Sequence, residues 1–313
     1  MAFAPPKESY SGKVFQVETG TGDRTARFGG ENVLPYHTFE GEAPNDVLIA
    51  YEIQDIVPNA WPDTVREVYE GVSDDPVKWA RYCEDELKAD ALALRLVGTH
   101  PDGANHSADD AAKTVKDVLA AVSVPLIILG SNHVEKDTEV LVKAAEAAKD
   151  RNCIIGKAQE ANYKTIAAAA MANNHKLIAM SELDINLSKQ LNILITQMGF
   201  DNRRLITDPM CSALGYGLEY TYSVMERIRL AALTQNDTTM QPPIMADVGM
   251  YVWKIKETQS AEADMPDWGS LRERAIAWEA VTAVSLMMSG AELLIMRHPE
   301  AVKAVKAFIE EMK

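Results

Sequence analysis

Positive charge is scarce in this chain. Lysine and arginine together total 31 residues against 46 aspartates and glutamates, so the formal net charge at pH 7 is −15. Binding to nucleic acid or to an anionic lipid surface needs clustered cations that neutralise phosphates. The charge balance therefore argues against both kinds of partner and favours an acidic, soluble protein.

Long apolar runs are also missing. No stretch approaches the roughly 20 apolar residues that a transmembrane helix needs. The first residues, MAFAPPKESYSG, do not contain the apolar core of a signal peptide. We therefore expect a cytoplasmic protein without a membrane partner.

Cysteine is rare and scattered. Cys83, Cys153 and Cys211 are too few and too far apart for a disulfide framework, and no C-x-x-C occurs. A four-cysteine zinc or iron–sulfur site built from this chain alone is thereby excluded. The 6 histidines show no metal-ligand spacing either, so no metal site is predicted.

A repeated unit, an apolar strand followed by an amphipathic helix, fills most of the chain. The strands are continuous apolar runs, as expected for parallel strands buried on both faces. Their predicted starts are Asp46, Ala91, Pro125, Cys153, Lys176, Arg204, Pro243 and Ala291. Eight such units favour a (β/α)₈ (TIM) barrel. The alternative, an open doubly wound sheet, usually has a glycine-rich loop after its first strand, and this chain has none there.

The residues before the first barrel strand form a separate pattern. Residues 13–17 and 24–28 alternate apolar and polar side chains, and Thr-Gly-Asp at 21–23 suits a turn. We expect residues 1–45 to form a β-hairpin that caps the N-terminal end of a barrel made of residues 46–313.

Two connections are unusually long for such a barrel. Residues 55–75 follow the first barrel strand, and residues 250–271 follow the seventh. Long loops at this end of a barrel often carry function or contact a partner. They contain Trp61, Trp253 and Trp268, and tryptophan is enriched among interface anchors, so these side chains are expected to contact a partner protein.

The C-terminal ends of the strands are where barrels bind ligands. The residues at these ends are polar, mixed in charge and rich in amides, which suits hydrogen bonding to a ligand with many amide or carboxylate groups. They are Glu52, Gln54, Arg95, Thr99, Ser131, Asn132, His133, Lys157, Gln159, Ser181, Glu182, Asp208, Met210, Asp247, Met250, Arg297 and His298.

Catalytic patterns at these strand ends are weak. Glu182 and Asp208 could act as acid and base, and Lys157 could form a Schiff base as in barrel aldolases. An ion pair between Lys157 and an acid is the favoured interpretation, and Cys211 is interpreted as a packed loop residue. Met210 and Met250 could pad an apolar ligand face or only pack their loops. No catalytic residue is predicted.

A family resemblance rests on three stretches. Residues 208–233, DPMCSALGYGLEYTYSVMERIRLAAL, together with LGSN at 129–132 and KAQEANYKTIAAAAMANNH at 157–175, resemble the small (delta) subunit of the corrinoid iron–sulfur protein. That protein serves the acetyl-CoA decarbonylase/synthase complex of the Wood–Ljungdahl pathway of carbon fixation. The resemblance spans essentially the whole chain, and the motif GYGLEY at 215–220 is its most specific part.

The resemblance implies a heterodimer. The small subunit would be a barrel paired with a large subunit that carries the iron–sulfur cluster and a cobalamin-binding domain, with the corrin ring between that domain and the barrel mouth. The pair would take a methyl group from methyltetrahydrofolate, through its methyltransferase, and deliver it to acetyl-CoA synthase. This chain would then be a non-catalytic subunit, since the chemistry belongs to cobalt.

The corrin site would be shared between the two subunits. The chain has no D-x-H-x-x-G loop, which places a histidine under cobalt in many corrinoid proteins, so the barrel would form only one wall. The residues expected to contact the corrin are Asn132, Gln159, Ser181, Asp208, Met210, Asp247 and Met250.

Two enzymatic alternatives remain open. A stand-alone folate-dependent methyltransferase barrel would need Asp208 or Asp247 to face the guanidine-like edge of a pterin, with Asn132 nearby. A Schiff-base aldolase would need a reactive Lys157.

Overall fold

A computed structural model describes residues 6–22 and 24–313. A short antiparallel hairpin, β1 (Val17–Thr19) and β2 (Ala26–Phe28), precedes eight parallel strands. These are β3 (Leu48–Gln54), β4 (Ala91–Arg95), β5 (Leu126–Leu129), β6 (Ile154–Ala158), β7 (Lys176–Met180), β8 (Leu205–Asp208), β9 (Ile244–Ala246) and β10 (Ala291–Met296). Strand β10 pairs with β3 and with β9, so the sheet closes. The predicted (β/α)₈ barrel with an N-terminal hairpin is confirmed.

Helices alternate with the barrel strands. They are α1 (Asp63–Arg66), α2 (Pro76–Asp85), α3 (Ala108–Ala121), α4 (Val134–Ala147), α5 (Tyr163–Ala172), α6 (Ile185–Gln197), α7 (Leu218–Thr234), α8 (Val248–Val252), α9 (Leu271–Met288) and α10 (Pro299–Glu311). In the described part of the chain, none of them has the length and apolar character needed to cross a membrane.

The alternation of side chains along each strand builds two core layers and also positions the site. Leu48 and Ala50 of β3 belong to the cluster inside the barrel, whereas the alternate residues Ile49, Tyr51 and Ile53 pack toward the helices. Because successive side chains of a strand point to opposite faces, Glu52 continues the inward row at the C-terminal end. In β10 the same alternation runs from Leu293 through Ile295, both inside the barrel, to Arg297.

The hairpin packs against the N-terminal end of the barrel. Val17 and Phe28 belong to the interior cluster together with Leu48 and other residues at the start of barrel strands. The hydroxyl of Thr19 donates to the carbonyl of Asn152, which lies just before β6 (2.9 Å). The boundary between residues 45 and 46 stays a prediction.

The hairpin strands are shorter than the sequence pattern indicates. Residues 13–16 were included in the predicted first strand, but the amide of Val14 donates to the carbonyl of Glu31 and that of Phe15 to the carbonyl of Gln241. These backbone groups bond to other segments and are therefore not available to extend the two-stranded ladder.

The two long connections are folded against the barrel. Trp61 is 5% exposed and lies 5.4 Å, between ring centroids, from Trp79. Trp253 is 1% exposed and stacks on His298. The prediction that Trp61 and Trp253 are partner anchors is therefore wrong, because both serve the chain's own core. Trp268, at 52% exposed, is accessible to a partner.

We predict that the hairpin's contact with the barrel interior is a major source of stability. Phe28→Ala would leave a cavity at a fully buried position and lower the free energy of unfolding by about 3–5 kcal/mol. Phe39→Ala is the matched control, since Phe39 is 51% exposed, and should change it by about 0.5 kcal/mol or less. Urea unfolding of both variants checks this, and equal losses would contradict it.

Candidate functional site

Six charged side chains meet where the inward rows of the strands end, and we call them the mouth cluster. They are Glu52, Arg95, Lys157, Asp208, Asp247 and Arg297, and each is at most 6% exposed. Three carboxylates face three cations, so the cluster has no net charge. Burial of such groups is tolerated only when each finds a partner of opposite charge.

Asp247 joins one half of the mouth cluster. Nη2 of Arg95 lies 2.9 and 2.8 Å from its two carboxylate oxygens, and Nζ of Lys157 lies 2.8 Å from Oδ2. The same Nζ is 2.9 Å from Oδ2 of Asp208. Burial alone would raise the pKa of Asp247, but the charges of Arg95 and Lys157 outweigh it and hold the pKa below its ordinary value.

Glu52 joins the other half. Nε of Arg95 donates to its Oε1 (3.1 Å), and Nη2 of Arg297 donates to the same oxygen (3.0 Å). Burial raises the pKa of Glu52, but the two guanidinium groups together outweigh burial, so the net shift is downward. The Arg297 guanidinium also lies 4.5 Å from the ring centroid of Trp61, which adds a cation–π contact. The mouth is thus filled by ion pairs.

This arrangement makes both Lys157 and Cys211 poor nucleophiles. Burial would lower the pKa of Lys157, but the charges of Asp208 and Asp247 raise it, so the amine stays an ammonium ion. A Schiff-base lysine needs the opposite shift. Cys211 is 2% exposed, and burial raises the pKa of its thiol well above the ordinary value. The ion-pair interpretation of Lys157 and the packed interpretation of Cys211 are confirmed.

The two acids that a pterin would need are already engaged. Nη2 of Arg95 contacts both oxygens of Asp247, which are the acceptors that a guanidine-like pterin edge would need. Asp208 faces Lys157 with Oδ2 and accepts the backbone amide of Met210 with Oδ1 (2.9 Å). The two acids that the folate-dependent alternative needs are therefore already paired with the chain's own cations.

Asn132 stands above the mouth cluster on a loop built by Asp137. The Asp137 carboxylate accepts the backbone amides of Ser131 (2.7 Å) and Asn132 (2.8 Å). A Cβ at Gly130 would lie 2.3 Å from Cγ of Asp137, so glycine is required there. Asn132 adopts a left-handed φ of 71° and places Nδ2 3.6 Å from Sδ of Met250. Asp137 was not predicted as part of the site, because it lies inside the following helix.

Gln159 and Ser181 lie to one side of the mouth cluster. Both line a cleft of about 570 Å³ between the ends of β6 and β7 and helix α6. Oγ of Ser181 is buried and has no hydrogen-bond partner within the described residues.

The seven predicted contact residues lie in different places. Asp208 and Asp247 are buried in the mouth cluster, and half-buried Met210 follows Asp208. Asn132 adjoins Met250, and Gln159 and Ser181 line the cleft. Their role toward a ligand stays a prediction.

Fold and site together define a (β/α)₈ barrel with a self-paired mouth and a polar rim. The family model described as CO dehydrogenase/acetyl-CoA synthase delta subunit matches residues 16–308. The chain belongs to this family, as the resemblance in its sequence indicated.

Three archaeal relatives named acetyl-CoA decarbonylase/synthase complex subunit delta match nearly the whole chain. The protein of Methanothermobacter thermautotrophicus is 36% identical, covering 97% of this chain and 77% of the relative. That of Archaeoglobus fulgidus is 36% identical, covering 97% and 69%. That of Methanocaldococcus jannaschii is 33% identical, covering 96% and 75%.

Solved structures of dihydropteroate synthases share the barrel. The enzyme of Thermus thermophilus superposes with a TM-score of 0.55 at 12% identity, covering 95% of this chain and 100% of the enzyme. That of Xanthomonas albilineans with 4-aminobenzoic acid gives 0.55 at 15% identity, covering 86% and 93%. At such identities the similarity shows the fold alone.

We predict that the mouth cluster cannot lose one cation without a large cost. Lys157→Met leaves Asp208 without its cation and Asp247 with only one, and should lower the free energy of unfolding by about 3–5 kcal/mol. Lys143→Met is the control, because its pair with Asp109 is 3.6 Å long and solvent-exposed; it should cost about 0.5 kcal/mol or less. Chemical denaturation measures both, and a tolerant Lys157→Met would contradict the prediction.

We also predict an acid-sensitive contribution from His298. Burial, more than the nearby charge of Arg272, lowers the pKa of His298 to about 4 from an ordinary value of 6.5. Between these values the unfolded chain binds a proton that the folded chain does not, so stability falls as pH drops from 6.5 to 4, by up to about 3 kcal/mol. His298→Asn keeps an acceptor for the first turn of α10. Its stability should fall less over this pH range, and an unchanged slope would refute the assignment.

Proposed function

We propose that this chain is the small subunit of a heterodimeric corrinoid iron–sulfur protein and that its barrel mouth forms one wall of the corrin site. Family membership supports this proposal, and so do the names of the relatives, which are subunits of an acetyl-CoA decarbonylase/synthase complex. The single observation that carries it is the mouth cluster, because a barrel whose own ion pairs fill its mouth offers a surface and not a substrate pocket.

The polar side chains and methionines around the mouth cluster fit a corrin. The edge of a corrin carries amide side chains, which pair with neutral groups that both donate and accept hydrogen bonds. Asn132, Gln159 and the unpartnered hydroxyl of Ser181 are groups of this kind. Met210 and Met250 would contact the apolar ring, and methionine suits such a face because its thioether is adaptable.

Asp208 and Asp247 are buried in the mouth cluster and would support the rim residues without contacting the corrin. Asp208 holds the backbone of Met210, and Asp247 holds Arg95 and Lys157 in place. Removing either acid would leave Lys157 with one carboxylate partner instead of two, so the contribution of both acids is to hold the side chains that position the rim.

The chemistry would come from the bound cofactor. A bound corrin would supply a cobalt able to carry a methyl group between methyltetrahydrofolate, through the methyltransferase, and acetyl-CoA synthase. The iron–sulfur cluster and the cobalamin-binding domain would belong to the large subunit. This chain's residues would orient the ring, exclude water from one face and offer no competing nucleophile. The folate-dependent methyltransferase alternative is weaker, since Arg95 and Lys157 already occupy the acids that it requires.

We predict that corrin binding depends on Asn132 and appears only with the cobalamin-binding subunit present. Asn132→Ala should weaken corrin retention by the assembled complex roughly fivefold, as expected for the loss of one hydrogen bond. Gln235→Ala is the matched control, because Gln235 is an exposed glutamine at the end of α7, on the opposite side of the barrel.

The measurement is the corrin absorption spectrum of the complex during dialysis, with methyl transfer from methyltetrahydrofolate assayed in parallel. The lone chain should show no turnover. Methyl transfer or tight tetrahydrofolate binding by the lone chain would overturn the proposal in favour of an independent methyltransferase.

A further inference from the structure

The cleft lined by Gln159 and Ser181, which we call the α6 cleft, is separate from the mouth cluster. Its volume of about 570 Å³ is in the range of small-molecule sites. It opens beside the strand ends β6 and β7, and helix α6 forms its outer wall. None of the six mouth-cluster residues lines it.

The wall of the α6 cleft is an apolar stripe. Leu187, Leu191 and Leu194 follow one another at helical spacing of four and three residues, so they share one face of α6. Leu187 is 46% exposed although it borders the cleft. An apolar ligand edge placed against this stripe would remove exposed leucine surface from water.

The inner end of the α6 cleft is polar and unsatisfied. Ser181 is 6% exposed, and its hydroxyl has no partner among the described residues. A buried hydroxyl without a hydrogen bond is unfavourable, and a polar group bound at this end of the cleft would satisfy it. The side-chain amides of Gln159 and Gln190 line the same cleft, and each offers both a donor and an acceptor.

The charges around the α6 cleft exclude anions. Glu160 and Glu182 line it, whereas no lysine or arginine of the described chain does. Carboxylates repel a ligand carboxylate or phosphate but accept hydrogen bonds from an N–H group. The combination of acceptors, amides, a hydroxyl and an apolar wall matches a primary carboxamide attached to an apolar body.

We propose that the α6 cleft is an amide-recognition subsite that takes a carboxamide side chain from the edge of an apolar ring. The assignment of that ring as the corrin rests on the proposed function. In this arrangement Ser181 and Gln190 hydrogen-bond the carboxamide, and the leucine stripe of α6 contacts the edge of the ring. The subsite adds Gln190, Leu191 and Leu194 to the rim residues already named.

The test compares two corrin rings whose edge side chains are amides in one and carboxylates in the other. Dicyanocobinamide carries amides, and dicyanocobyrinic acid carries carboxylates at the corresponding positions. Binding to the full chain together with the cobalamin-binding subunit is measured by equilibrium dialysis, with the subunit alone as the reference. The amide ring should bind at least about tenfold more tightly, because the carboxylates meet Glu160 and Glu182.

Two variants and a matched control locate the effect. Ser181→Ala and Gln190→Glu should each weaken binding of dicyanocobinamide roughly fivefold. Gln197→Glu makes the same change in charge at the end of α6, outside the cleft, and should leave binding unchanged. Circular dichroism establishes that all three variants are folded.

A second probe separates the subsite from the proposed function. Hexanamide has a carboxamide and an apolar body without a ring, and its contact is read from the side-chain amide signals of Gln159 and Gln190 in ¹⁵N spectra. Hexanamide binding without ring binding would support the subsite and overturn the corrin assignment. Ring binding that is weakened by Asn132→Ala but not by Ser181→Ala or Gln190→Glu would overturn the subsite and keep the proposed function. No binding of either probe would overturn the subsite.

Discussion

The carboxylate of Asp247 is the contact on which the barrel mouth depends. It joins Arg95 of β4 to Lys157 of β6, residues that lie 152 and 90 positions away in the chain. Through Arg95 the connection continues to Glu52 and then to Arg297. Because a buried charge without its partner costs several kcal/mol, replacing a single member of the mouth cluster by a neutral residue is destabilising. These ion pairs hold the ends of strands that are distant in the sequence in one geometry. The position of the rim residues, which follow these strand ends, is fixed in the same way.

Most of the fold was predictable because its signal is local. Continuous apolar runs between amphipathic helices predicted all eight barrel strands near their observed positions. The hairpin strands were overestimated because Val14 and Phe15 hydrogen-bond to segments outside the hairpin, which alternation cannot reveal. The error at Trp61 and Trp253 has a similar origin. The sequence identifies a long connection, but it does not show whether a tryptophan in that connection faces the barrel or the solvent.

The site was predictable by position but not by pairing. Side-chain alternation brings Lys157, Asp208 and Asp247 to the same end of the barrel, and the ion-pair interpretation of Lys157 followed from that. The contact of Arg95 with both oxygens of Asp247 depends on strand order and tilt in three dimensions, which a single strand does not encode. Asp137 was missed for another reason, since it supports the Asn132 loop from within a helix whose sequence looks ordinary.

A mouth filled by its own ion pairs changes what a barrel can do. The chain carries a net charge of −15, yet the mouth cluster is neutral. Its ion pairs fill the space at the strand ends, and the α6 cleft is a separate cavity beside them. Tyr216, Tyr220 and Trp268 remain 48%, 65% and 52% exposed on the loops and helix start that follow β8 and β9. Exposed aromatic side chains of this kind are enriched at protein interfaces. In the proposed heterodimer, the second subunit would bury them and supply the opposite wall of the corrin site.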